Sequence, residues 1–220
     1  MKFVAILPIL GLMLLLSGEI HAQKTISEGT ITYEISLQSR SNENKSVNGF
    51  AGATSTRYLK GGMSRTDMKT ALGTETTIYN SKTGGAAMLK EYSGQKLMIL
   101  LTKENWDEKN KKFEGIVFEP TGETKLIEGY NCKRAIAHLK DGASISVYYT
   151  PDLVAINKEY DRAFVNLPGF PLEYELETEK LFFRYKLSTI DFNTVPSSKF
   201  EYPQTGYRVM TYEENKKGER

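Results

Sequence analysis

The chain has 220 residues, with 29 Lys and Arg against 27 Asp and Glu and a net charge of +2. That size gives one domain or at most two small ones, and so even a balance excludes the concentrated positive charge that nucleic acid requires. The 40% hydrophobic and 11% aromatic content fills a core and excludes wholesale disorder, while one Cys and two His exclude a disulfide framework, a cysteine-rich zinc site and most thiol or imidazole chemistry.

Lys2 precedes an apolar run, Phe3 to Leu16, and then Ser17-Gly18-Glu19-Ile20-His21-Ala22. This is the charged, apolar and cleavage-region order of a secretory signal peptide. The run carries Pro8 and Gly11 and falls short of the roughly 20 apolar residues that cross a hydrocarbon core. Cleavage after Ala22 is expected, leaving a mature chain from near Gln23 with an unchanged net charge and His138 as its one histidine. The only Cys is Cys132, so no thiol follows the run to carry a lipid, and a soluble periplasmic or secreted protein is expected.

Along residues 23–212, alternation of apolar and polar side chains dominates. Gly29 to Leu37 places Ile31, Tyr33, Ile35 and Leu37 on one face of a strand. A polar loop, Ser39 to Ser46, comes next. Arg57 to Lys60 and Met63 to Met68 read as a hairpin about Gly61-Gly62, where glycine supplies positive φ angles. Strands are predicted at Glu75 to Tyr79, Ala86 to Tyr92 and Gln95 to Leu101. The charged stretch Thr102 to Lys112, holding the sole Trp, predicts an exposed loop or short helix. Phe113 to Phe118 and Lys125 to Ile127 predict short strands, and Lys133 to Lys140 with Ala143 to Thr150 a hairpin about Asp141-Gly142. Pro151 stops that strand, and Pro151 to Lys158 is expected to begin one helical turn or two. Leu172 to Glu179 and Leu181 to Phe192 complete the strands, and residues 213–220 read as a disordered polar tail. About ten strands with short turns predict a mainly β fold: one curled antiparallel sheet, an open or half barrel, with one or two short helices.

Motifs for a nucleophile elbow, a phosphate loop, a zinc hydrolase or a calcium loop are absent from the sequence. Glu173, Glu175, Glu177 and Glu179 put four carboxylates on one strand face; with no partner to split their pKa values they describe a wet surface. Cys132 beside Lys133 and Arg134 reads as a buried, inert thiol, and Trp106 as either a rim aromatic or an anchor for its loop. No catalytic residue, metal site or cofactor is expected.

Three stretches carry a family resemblance. Tyr58 to Met68 followed by Thr77 to Gly84, and Ser197-Ser198-Lys199-Phe200 through Gly206-Tyr207-Arg208-Val209, resemble the hairpins and closing segment of periplasmic outer-membrane lipoprotein carriers. Leu167-Pro168-Gly169-Phe170-Pro171-Leu172 is similar to the Gly-Leu-Pro-Gly-type signature of secreted bacterial domains of unknown function. The resemblance implies an unclosed barrel with a short helical lid and an apolar interior for acyl chains. It also implies an arginine facing the cavity near the first hairpin, where this chain has Gly61-Gly62 with Arg65 nearby.

The expected function is that of a non-enzymatic cell-envelope protein holding an acyl chain or lipoprotein anchor in the concave face. The alternative is a structural or protein-interaction module with a filled core, partnered by another envelope protein. The expected cavity residues are Ile31, Tyr33, Ile35, Tyr58, Met63, Met68, Ile78, Met88, Leu97 and Ile99. Protein recovered from its native cell is expected to start near Gln23 and to leave the periplasm without detergent; N-terminal sequencing checks this, and a Met1 terminus in the membrane pellet contradicts it.

Overall fold

The structure, a computed structural model, describes residues 23–39, 49–178 and 181–218. The expected signal peptide, most of the polar loop after Ser39, and Glu179 lie outside the described residues. β1 (Lys24–Ile26) is followed by a meander of β2 (Glu28–Ser39), β3 (Ala53–Lys60), β4 (Met63–Thr70), β5 (Gly73–Asn80), β6 (Ala86–Tyr92) and β7 (Gln95–Leu101). After α1 (Lys103–Lys109) come β8 (Glu119–Ile127), β9 (Tyr130–His138), β10 (Ser144–Thr150) and β11 (Leu153–Ala155). β12 (Phe170–Glu177), β13 (Leu181–Asp191), β14 (Arg208–Thr211) and α2 (Tyr212–Gly218) end the chain.

Twelve strands form one sheet in the order β14-β7-β6-β5-β4-β3-β2-β13-β12-β10-β9-β8. Every neighbour pair is antiparallel except β14 with β7. The two sequential halves meet where β2 pairs with β13, with Tyr33 opposite Leu187 and Ile31 opposite Ile190. A sheet of this width cannot stay flat because twist accumulates from strand to strand. It curls without closing, and β14 and β8 remain its two edges. The mainly β, unclosed, curled sheet is therefore as the alternation implies.

Alternation sets which residues face inward. Ala53, Ser55, Arg57 and Leu59 of β3 are buried on the inner face, while Thr54, Thr56, Tyr58 and Lys60 point the other way and are half-buried. The main core joins Ile31 and Tyr33 to Val147, Ile145, Leu172, Tyr174 and Leu187. The outer face of β3 to β5 is covered too, by a strap over residues 193–207. There Val195 and Phe200 bury Ile78, with Tyr58 and Met63 packed against them. Glu28 fastens the strap, accepting hydrogen bonds from the Val195 amide at 2.6 Å and from Lys60 Nζ at 2.8 Å, while the same Nζ donates to the Val195 carbonyl.

Several segments differ from the expectation of the sequence pattern. Phe113 to Phe118 forms no strand: a 3-10 turn (Lys111–Phe113) leads into Gly115 at φ +72°, a left-handed conformation incompatible with a ladder. Leu153 to Ala155 is a strand, pairing in parallel with β1, so the segment after Pro151 is extended where helical turns are expected. Residues 213–218 belong to α2, not to a disordered tail. Thr211 Oγ1 accepts from the Glu214 amide at 3.2 Å and Glu214 Oε2 accepts from the Thr211 amide at 2.8 Å, a reciprocal cap. Thr102 caps α1 in the same way through Asn105.

Gly169 turns the chain into β12. A Cβ there would collide with the Thr150 carbonyl oxygen and press on the Tyr149 ring, so glycine is dictated by close approach of two backbones. Gly169→Ala is expected to cost about 1–3 kcal/mol through overpacking, read as a lowered Tm; an unchanged Tm would mean that the turn relaxes freely.

Candidate functional site

The inner face of β3 contains one residue that a strand core does not ordinarily accept. Arg57 stands in line with Ala53 and Leu59, opposite Ile31 on β2 and Thr66 on β4, and its side chain is only 9% exposed. A buried guanidinium persists only with compensating charge and hydrogen bonds. The segment between β11 and β12 supplies the charge: Asp161, just before a 3-10 turn (Arg162–Phe164), places Oδ2 at 2.7 Å from Arg57 Nη2. Nη2 donates to the Tyr174 hydroxyl at 3.0 Å. Its alignment on Asp161 is that of a charge contact, so among the described residues neither Asp161 Oδ2 nor Arg57 Nη1 has a well-directed hydrogen bond, although the Tyr160 hydroxyl also lies against the guanidinium.

Aromatic rings enclose this pair. The guanidinium carbon lies 5.2 Å from the Tyr33 ring centre and 5.9 Å from those of Tyr160 and Tyr174, within cation–π range. Tyr174 stacks on Tyr185 at 4.5 Å and receives Phe164 and Tyr33 edge-on at 4.8 and 5.6 Å. The Tyr33 hydroxyl donates to the Pro171 carbonyl at 2.8 Å, which fixes its ring. Burial works against the charge of Arg57, but the Asp161 carboxylate and the surrounding tyrosines outweigh it and hold the guanidinium protonated. Burial in turn pushes the hydroxyls of Tyr33 and Tyr174 well up, against the pull of Arg57, and that of Tyr160 to about 12.

Beside the guanidinium is a cavity of about 250 Å³ walled by Thr66, Met68, Glu75 and Thr77 from β4 and β5, and by Leu176 and Tyr185 from β12 and β13. Phe113 and Phe164 close it from the connecting segments. Thr66, Met68, Glu75, Thr77, Leu176 and Tyr185 are all half-buried. Its volume lies just below the roughly 300–1,000 Å³ of small-molecule pockets. A larger hollow, about 700 Å³, is a surface groove between α1 and the two 3-10 turns, where Asp107 already pairs with Lys103 and Arg162. A third, about 540 Å³, separates the strap from the outer face, where Asp67 accepts from Arg65 and Thr76 at 2.7 Å each.

The expected cavity residues divide between these surroundings. Ile31, Tyr33, Ile35, Met68, Met88, Leu97 and Ile99 do share the inner face, but of them only Met68 lines the cavity. Ile31 and Tyr33 are fully buried in the main core. Met88 and Ile99 pack with Leu101 and Tyr79 beneath Trp106, which fills that end of the face, and Leu97 lies against the same group. Tyr58, Met63 and Ile78 belong to the outer face under the strap, because the register of the hairpin puts them out of phase with Arg57. Trp106 is an anchor: it stacks on Tyr79 at 5.0 Å, is 4% exposed, and donates Nε1 to the Glu159 carbonyl at 3.3 Å.

An arginine does line the cavity near this hairpin, Arg57 on its first arm, while Arg65 faces outward to Asp67. The sequence carries only a weak signal for it, since both alternate sets of Ala53-Thr54-Ser55-Thr56-Arg57-Tyr58-Leu59 mix apolar and polar residues and the fold sets which faces inward. Asp161 and Tyr174 carry no comparable signal, since only the tertiary fold brings them to Arg57. Elsewhere, Cys132 is fully buried and burial pushes its thiol up to about 11. Glu173 and Glu175 pair with Lys125 and Arg184 across the outer face, and Glu177 accepts from Ser144.

The family model for a domain of unknown function, DUF4412, matches residues 43–158, just over half of the chain and including β3 with Arg57. The chain belongs to that family. The Leu167 to Leu172 motif lies beyond the matched residues, as does Asp161. No curated protein matches the chain. Solved structures resemble it at low identity. PNGF-II has a TM-score of 0.49 and 14% identity over 86% of this chain and 33% of its own, so this chain spans about a third of that protein. An uncharacterized conserved protein from Thermus thermophilus has a TM-score of 0.46 and 10% identity, covering 83% and 90% of the two chains. The Mycobacterium tuberculosis lipoprotein LppX has a TM-score of 0.38 and 6% identity, covering 73% and 86%.

The tyrosine cluster gives a pH dependence of definite sign. Its hydroxyls are held above the ordinary value of 10.0 in the folded state, so folded protein binds those protons more tightly than unfolded chain. Their contribution to stability is complete below pH 10 and is lost as pH rises through about 12. Tm measured against pH is expected to fall across that window, with a late group of tyrosinate absorbance appearing only on unfolding. Early ionisation of every tyrosine without loss of Tm would contradict it.

Proposed function

We propose that this member of the family is a non-enzymatic binding protein of the cell envelope. It takes a small amphipathic ligand, such as the end of an acyl chain, into the inner-face cavity. The observation that carries the reading is the Arg57 guanidinium, buried at the cavity wall with Nη1 lacking a well-directed acceptor among the described residues. A core that needed only packing would place an apolar residue there, since an isosteric apolar replacement for a buried ion pair is often neutral or stabilising. Met68, Phe113, Phe164 and Leu176 offer the apolar body of a ligand its surface. Each 100 Å² that they cover contributes on the order of 2.5 kcal/mol before the costs of association. The envelope location rests on the signal-peptide pattern of residues 1–22.

The alternative, a filled module that meets another envelope protein, draws on the packing of Met88 and Ile99 under Trp106, which leaves a full-length acyl chain no room at that end of the face. Two measurements separate them. Organic extraction of the purified mature protein, followed by mass spectrometry, is expected to yield a stoichiometric small amphiphile. Met68→Phe adds bulk to the cavity wall and is expected to exclude that ligand while changing stability by less than the roughly 1–3 kcal/mol that overpacking a closed core costs. No extracted ligand, together with a full overpacking penalty, favours the filled module.

A further inference from the structure

We propose that the inner-face cavity prefers an uncharged carbonyl head, an amide or ester on an apolar body, over a carboxylate. This rests on the reading of the cavity as a ligand site and names the chemistry of its occupant. Among the described residues Arg57 Nη1 is a buried donor without a well-directed acceptor, and its guanidinium lines the cavity, so an occupant that supplies a carbonyl oxygen satisfies a group that is otherwise costly to bury. A carboxylate also supplies an acceptor, but it brings a charge. The guanidinium is already matched by Asp161 at 2.7 Å, and Glu75 stands on the same cavity wall. An incoming anion therefore meets one positive group and two negative ones, and its desolvation is not repaid.

A neutral amide avoids that penalty and gains a second contact. Its N–H finds acceptors in the Glu75 carboxylate or the Thr66 and Thr77 hydroxyls, which line the same space. A cationic head is drawn by the two carboxylates, but it offers Nη1 no acceptor and leaves that buried donor unpaired. Size agrees with a short head group and the first part of a chain. At about 30 Å³ for each water-sized group, the cavity volume of about 250 Å³ holds roughly eight heavy atoms.

The test compares octanamide, methyl octanoate, octanoate and octylamine as probes of the full mature chain by calorimetry and thermal shift. Octanamide and methyl octanoate are expected to bind at least about tenfold tighter than octanoate, the ratio that one modest charge repulsion produces, and tighter than octylamine, which gives Nη1 no acceptor. Asp161→Asn frees the guanidinium charge and is expected to bring octanoate level with octanamide or ahead of it. Because that variant also disturbs the buried pair, Glu75→Gln serves as the second. Its side chain is half-exposed, its Tyr92 contact survives in the amide, and it is expected to narrow the ratio with the fold intact by circular dichroism. Octanoate binding the native chain as tightly as octanamide, or an unchanged ratio in both variants, overturns the head-group preference and leaves the cavity reading standing. Failure of all four probes to bind overturns the cavity reading and this inference with it.

Discussion

A guanidinium inside a β-sheet core constrains everything packed around it. Arg57 is largely withdrawn from bulk water, its side chain 9% exposed, so its charge calls for a carboxylate, and the one that comes to it belongs to the connection between β11 and β12. That requirement draws residues 156–169 across the inner face and sets Phe164 edge-on against Tyr174. It also explains the aromatic ring about the pair. Tyrosine combines apolar bulk, a quadrupole that favours the cation and a hydroxyl that can accept from it, three properties that no aliphatic residue offers together.

The sheet is covered on both faces in its central strands, and this decides where apolar residues can go. Ile78 and Met63 are as apolar as Met88 and Ile99, yet they lie under the strap while the latter lie under Trp106. Hydrophobicity alone does not choose between two buried faces. The register does, and it is fixed by Gly61 at φ +56° in the turn between β3 and β4, which sets Lys60 opposite Met63. Glu28 and Lys60 then hold the strap against the sheet through paired charges and two backbone groups of Val195.

Much of the architecture was legible in the chain itself. Period-2 runs such as Ile31 to Leu37 and the Asp141-Gly142 turn identify strands and hairpins because side-chain alternation is local. Short parallel pairing was not legible: Lys24 to Ile26 and Leu153 to Ala155 are each three residues long and become strands only by meeting each other. The cap of α2 was present in Thr211 and Glu214 but was hidden by the polarity of residues 213–218. At the site, neither partner could be read directly. Arg57 shares its face of β3 with Ala53, Ser55 and Leu59, a mixed set whose inward phase the alternation leaves open, and Asp161 sits in a charged loop like other aspartates until the sheet curls over it.

The pairing of Ile31 with Ile190 has a bearing on how the chain reaches its native state. β2 finds its first partner, β3, nearby in sequence, but its other edge has nothing to pair with until β13 is present, because the order of strands places β13 beside it and no earlier strand. Until then the first meander exposes a twelve-residue edge rich in inward-facing apolar side chains, the geometry most open to pairing with another molecule. Closure of this seam brings together residues far apart in sequence and carries a correspondingly large loop entropy, which makes it the natural slow step of folding. A chain of this design is most vulnerable to aggregation in the interval between its first half folding and its last long strand arriving, so it gains most from a chaperone that shields one strand edge.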